Sequence, residues 1–89
     1  MNFDLFIDGV RSMVAGYVNA SLPNLTETLL GRELLPAEVE PVEVAGLVSR
    51  WTALVTTALP DGRMYRVEYD CRTGAWSLTA YRREAARDE

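Results

Sequence analysis

A chain of 89 residues has room for one hydrophobic core and excludes a second. Its 48% apolar content is that of a folded globular protein, and its apolar runs fall far short of the ~20 residues that span a bilayer. The net charge of −4 divides into −5 over residues 1–62 and +1 over residues 63–89, which argues against the strongly basic face of a direct nucleic-acid binder.

From Phe3 to about Ala20, apolar residues at 3, 6, 7, 10, 13, 14, 17 and 18 follow the three-four spacing of one helix face. Asn2 is the expected N-cap, and Asp4 in the first turn suits the helix dipole. Asp4, Asp8, Ser12, Ala15 and Asn19 line the opposite side. Gly9 and Gly16 share one flank, which suggests close approach of another backbone at a helix or dimer contact. Leu22-Pro23-Asn24 breaks this helix; Asn24 or Thr26 then caps a second one, Leu25 to Leu30, closed by Gly31. Glu38, Glu40 and Glu43 interleave with Val39, Val42 and Val44, a strand pattern that Pro41 confines to a sheet edge.

Three alternating runs follow. Trp51, Ala53, Val55 and Thr57 share one face of the first, Tyr65, Val67, Tyr69 and Cys71 of the second, and Trp76, Leu78 and Ala80 of the third. A three-residue Pro60-Asp61-Gly62 loop pairs Thr57 with Tyr65 and Val55 with Val67, uniting the first two sets with Gly62 left-handed. A four-residue Cys71 to Gly74 loop pairs Tyr69 with Trp76 and Val67 with Leu78. The fold class is therefore α+β: a long N-terminal helix, using Phe3, Phe6, Ile7, Val10, Val14 and Tyr17, packed on a three- to four-stranded antiparallel meander. Residues 1–83 form the single domain, and 84–89 are a charged tail. This layout is similar to cystatin-like and other small α+β domains, a likeness of shape that brings no functional residue with it.

Chemistry is sparse. The chain has no histidine, which excludes Ser-His, Cys-His and zinc-histidine sites. Cys71, alone and alternating with Tyr69, reads as structural. Glu38, Glu40 and Glu43 lack the spacing of a calcium loop, and Glu68 and Asp70 lie among polar neighbours rather than in an apolar pocket. No catalytic residue, metal or cofactor is expected. A single cysteine and an N-terminus without a basic leader suggest the cytoplasm. All nine basic residues are arginine, a bias that a GC-rich bacterial or phage genome explains most simply.

The sheet face turned away from the helix is more informative. Leu54, Met64 and Tyr81 with Arg66 form an apolar patch of the types enriched where proteins meet. Arg63, Arg66, Arg82 and Arg83 are expected around the Pro60 hairpin. Leu54, Met64, Arg66, Tyr81 and Arg82, with Glu38, Glu40 and Glu43, are the candidate partner-binding set. The expected function is a small non-catalytic protein-binding module, an inhibitor or adaptor of the type that includes anti-CRISPR proteins. One alternative is a nucleic-acid mimic using Glu33, Glu38, Glu40 and Glu43, whose binding would collapse with salt. The other is a small-ligand carrier, which needs a cavity between helix and sheet. A modest core and a spare sheet face or edge also favour a homodimer.

Overall fold

Asn2 starts the first helix as its pattern predicts: its side-chain oxygen accepts a hydrogen bond from the Leu5 N–H at 2.9 Å. The helix α1 runs Phe3–Ser21 in the computed structural model, which describes residues 1–82. Arg83 and the tail expected over 84–89 lie outside the described residues, as does the side chain of Arg82.

The buried stripe of α1 is Phe6, Ile7, Val10, Val14, Ala15 and Val18. It is turned from the expected one: Phe3 is 54% exposed and Tyr17 37%, while Ala15, assigned to the polar side, is buried. The turn has a polar cause. Asn19 accepts from the Leu34 N–H at 2.7 Å and donates to the Leu34 carbonyl at 2.9 Å. Arg11 Nε donates to the Val39 carbonyl at 3.2 Å. Residues 7, 11, 15 and 19 form one i,i+4 row, so these bonds draw Ile7 and Ala15 inward with them.

The second helix, α2, spans Pro23–Leu30. Neither Asn24 nor Thr26 caps it; Pro23 sits in its first turn, where a missing N–H is harmless. Thr26 is instead buried, its hydroxyl donating to the Pro23 carbonyl at 3.0 Å. Gly31 ends the helix at φ 71°, its N–H reaching the Thr26 and Glu27 carbonyls. A single 3₁₀ turn, Pro36–Glu38, then leads into the sheet.

Four antiparallel strands follow in the order of the chain: β1 Val39–Gly46, β2 Arg50–Thr57, β3 Arg63–Asp70 and β4 Trp76–Arg82. β1 is an edge, as Pro41 requires. Its ladder against β2 is interrupted between Pro41 and Glu43, leaving Val42 as a bulge. Val39 and Val44 are five residues apart, so a regular strand would place them on opposite faces. The bulge puts both inward, opposite Thr57 and Ala53.

The β3–β4 register is the expected one, with Tyr69 opposite Trp76, Val67 opposite Leu78 and Tyr65 opposite Ala80. Between β2 and β3 the pairing is shifted by two residues: Tyr65 faces Val55 rather than Thr57, and Val67 faces Ala53. A two-residue shift preserves side-chain parity, so the inner and outer sets stand although their rows move. The connection is longer because Leu59 folds back into the core, 4% exposed. Burying a leucine contributes roughly 1.5–3 kcal/mol, enough to outweigh two lost ladder positions. Gly62 keeps the left-handed conformation, φ 74°.

Between α1 and the inner sheet face lie Phe6, Val10, Val14, Val18, Val39, Val55, Tyr65 and Val67, each fully buried, with Leu34 beside them. Phe6 stacks on Trp76 at 5.7 Å between ring centroids, Tyr69 meets Trp76 at 5.0 Å, and Trp51 meets Phe6 at 5.4 Å. An aromatic cluster therefore forms at the rim of the core rather than its centre, since both indoles and Tyr69 are half-buried. Each indole rests on a glycine. A Cβ at Gly9 would stand 2.5 Å from the Trp76 ring, and one at Gly46 3.0 Å from that of Trp51. The close approach at Gly9 is thus to a side chain, not a backbone, and Gly16 has nothing within 4 Å.

Candidate interaction surface

The outer face of the sheet is built from the alternate residues of each strand. Its central row is Glu43–Leu54–Arg66–Thr79, and the next is Ala45–Thr52–Glu68–Ser77. On the other side Glu40 faces Thr56, and Met64 faces Tyr81. Leu54 is thus flanked by a carboxylate and a guanidinium, each one strand spacing of about 4.8 Å away. Among the described residues Arg66, Glu43 and Glu68 make no ion pair. Small Ala45 and Thr52 beside Leu54 leave a shallow hollow of about 190 Å³, rimmed by Glu43 and Arg66.

Of the candidate residues, Leu54, Arg66, Glu43, Glu40, Met64 and Tyr81 share this face. Glu38 does not. It lies in the 3₁₀ turn, where Arg32 grips both its oxygens at 2.8 and 2.6 Å and the Leu35 N–H adds a third bond at 2.9 Å. Those bonds, that from Arg32 foremost, hold its carboxyl down at about 2 against an ordinary 4.5. Nor do the arginines expected around the Pro60 hairpin form one cluster. Arg63 belongs to the inner face, its Nε 3.4 Å from Asp61, while Arg66 points outward. The register gives Arg82 an inner-face position opposite Arg63, and Arg83 lies outside the described residues.

Two features were not read from the sequence. The hollow beside Leu54 needs the three-strand register, which no single strand reveals. The tip between β1 and β2 presents Leu47 and Val48, the latter 100% exposed. An apolar pair in the three-residue link between alternating runs is the signal that marked it.

Cys71 is half-buried in the turn after β3, its N–H bonded to the Ser49 carbonyl at 2.9 Å. No group of three or more acidic or cysteine side chains that could hold a metal ion occurs among the described residues. No helix among them is long and apolar enough to cross a membrane. No family model, curated protein sequence or solved structure matches the chain.

Proposed function

We propose that this chain is a small, acidic, non-catalytic protein-binding module of a bacterial or phage-infected cytoplasm, an inhibitor or adaptor that acts by covering a surface of a protein partner. One observation carries the reading: the outer sheet face brings Leu54, Met64 and Tyr81 together with Arg66 and Glu43, and among the described residues no other element packs over it. Four strands about 4.8 Å apart and about 25 Å long give a face of about 500 Å², at the small end for a specific interface. Affinity on so small an area depends on a few anchors, and Tyr and Arg are the side chains that most often serve. Arg66 and Glu43 on either side of an apolar centre supply charge that would fix the partner's orientation more than its affinity.

The test is a capture experiment from cells of the source type with the tagged chain and its Leu54→Glu and Arg66→Glu variants. A stoichiometric protein held by the parent chain and lost from both variants is the expected result. It should stay bound at about 1 M salt, where the Debye length is about 3 Å, because the centre of the patch is apolar. A partner retained equally by the variants, or none at all, would refute the reading. Release at moderate salt would favour a phosphate-mimicking role for Glu40 and Glu43.

A further inference from the structure

The two edges of the sheet differ in kind. β1 carries Pro41, the Val42 bulge, and Glu40 and Glu43, all devices that prevent edge-to-edge pairing. β4 has none of them: residues Trp76 to Tyr81 contain no proline, glycine or charge and pair with β3 without interruption. Hydrogen-bond alternation identifies what that edge offers. The Asp70 N–H donates to the Ala75 carbonyl, and the Cys71 N–H to the Ser49 carbonyl. Even-numbered β3 residues therefore bond toward β4 and odd-numbered ones toward β2. Their β4 partners Ser77, Thr79 and Tyr81 bond inward, and the N–H and C=O groups of Trp76, Leu78 and Ala80 point to the open edge.

The side chains of those same three residues lie on the inner face, where α1 stands back from the strand. Two hollows mark the gap: about 510 Å³ against Gly9, Ser12, Met13 and Trp76, and about 380 Å³ against Tyr17, Arg63, Ala80 and Tyr81. Trp76 and Leu78 are only half-buried there, and Ala80 is exposed.

We propose that β4 is a dimerisation edge: a second copy of this chain pairs with it antiparallel across a two-fold axis at Thr79, joining two four-stranded sheets into one of eight strands. In that register Leu78 meets the second copy's Ala80 on the inner face and Ser77 meets its Tyr81 on the outer face. The open N–H and C=O groups of Leu78 and Ala80 face one another across the axis and satisfy each other. The self-complementary two-fold register, unopposed by charge, is what selects a second copy as the occupant. The chain carries −4, and like-charged copies repel, yet Trp76 to Tyr81 of β4 hold no acid, and the exposed acids Glu40 and Glu43 lie on β1 at the opposite edge of the sheet. Nothing of like charge meets across the axis between residues 77 and 81. The footprint, a strand of about 23 Å with the helix flank above it, gives about 500 Å² per copy and about 1,000 Å² in all. That is the lower limit for a specific dimer, so association belongs in the micromolar range. The proposal is independent of the partner-binding reading, although Tyr81 belongs to both surfaces.

Sedimentation or light scattering of the full chain at about 100 µM tests it, with Ala80→Pro and Thr79→Lys as variants. The Ala80 N–H makes no β3 bond, so proline there removes an edge donor and leaves the β3–β4 ladder whole. Lysine at Thr79 sets two cations against each other on the axis. The parent should have twice the 9.9 kDa chain mass, and both variants a single chain mass with an unchanged circular dichroism spectrum. Hydrogen exchange supplies a readout that does not depend on the variants: the Leu78 and Ala80 amides should be protected at high concentration and exchange freely on dilution. A parent that stays monomeric at about 1 mM, or variants that remain dimeric, would overturn the proposal. So would protection of those amides in a monomer, which would assign the edge to another segment of the same chain.

Discussion

The hydroxyl of Tyr65 is fully buried with no hydrogen-bond partner among the described residues, close to the Asp61–Arg63 pair and edge-on to Tyr17. Such a group costs about 1–3 kcal/mol in desolvation. Tyr65→Phe keeps the ring and removes the cost, so urea denaturation should show the variant more stable by about 1 kcal/mol. Burial foremost, and then the charge of Asp61, push the Tyr65 phenol above its ordinary value of 10. Below pH 10 the phenol is neutral in both states, and above it stability is lost, because the unfolded chain ionises and the folded one does not. The parent should therefore lose stability above pH 10 more steeply than Tyr65→Phe. Glu38 acts at the other end of the scale. Its carboxyl is held at about 2, so its contribution is present above 4.5 and is lost as the pH falls from there toward 2. Glu38→Gln should flatten that part of the acid limb, and denaturation curves of the two proteins that fall in parallel there would contradict the Arg32–Glu38 pairing.

At the scale of elements, two glycines in α1 give opposite predictions for one substitution. Gly16→Ala adds a methyl to open space and should stabilise the helix by up to about 1 kcal/mol. Gly9→Ala drives a methyl into the Trp76 ring at 2.5 Å and disturbs its stack on Phe6, so overpacking of about 1–3 kcal/mol should outweigh the same helical gain. Thermal melts of the pair decide the matter. The β1 bulge makes a further prediction. Pro41 faces Val55 and Glu43 faces Leu54, so removing Val42 leaves a regular ladder with every other pairing intact. Its deletion should change stability by less than about 1 kcal/mol, whereas deleting Ala53 from central β2 reverses all that follows and should unfold the chain.

The elements also show how far alternation and helical spacing carry. The N-cap at Asn2, the edge position of Pro41 and the whole β3–β4 register follow from local pattern alone. The β2–β3 pairing does not, because a shift of two preserves parity and only the burial of Leu59 selects the longer connection. Likewise Asn19 looks like a solvent-facing residue until Leu34, fifteen residues on, folds back to meet its amide. The outer-face candidates were legible for the same reason as the strands, by parity. Glu38 was misplaced because its fate depends on Arg32, in a turn with no periodicity to read.

The molecule as a whole has one sheet with two unlike faces. The inner face, under α1, accounts for the buried core, and the outer face keeps a half-exposed apolar centre between charges of both signs. An eight-stranded dimer would set two such faces side by side and present a paired partner two copies of the patch, raising avidity without a new contact. The most direct test is site-specific photocrosslinking in cells of the source type, with a photoreactive residue at Thr56 on the outer face and, separately, at Asp8 on the solvent side of α1. Crosslinking from position 56 to one discrete protein, with none from position 8, is the predicted result. Crosslinks from position 8 alone, or the same products from both positions, would contradict recognition through the open sheet face.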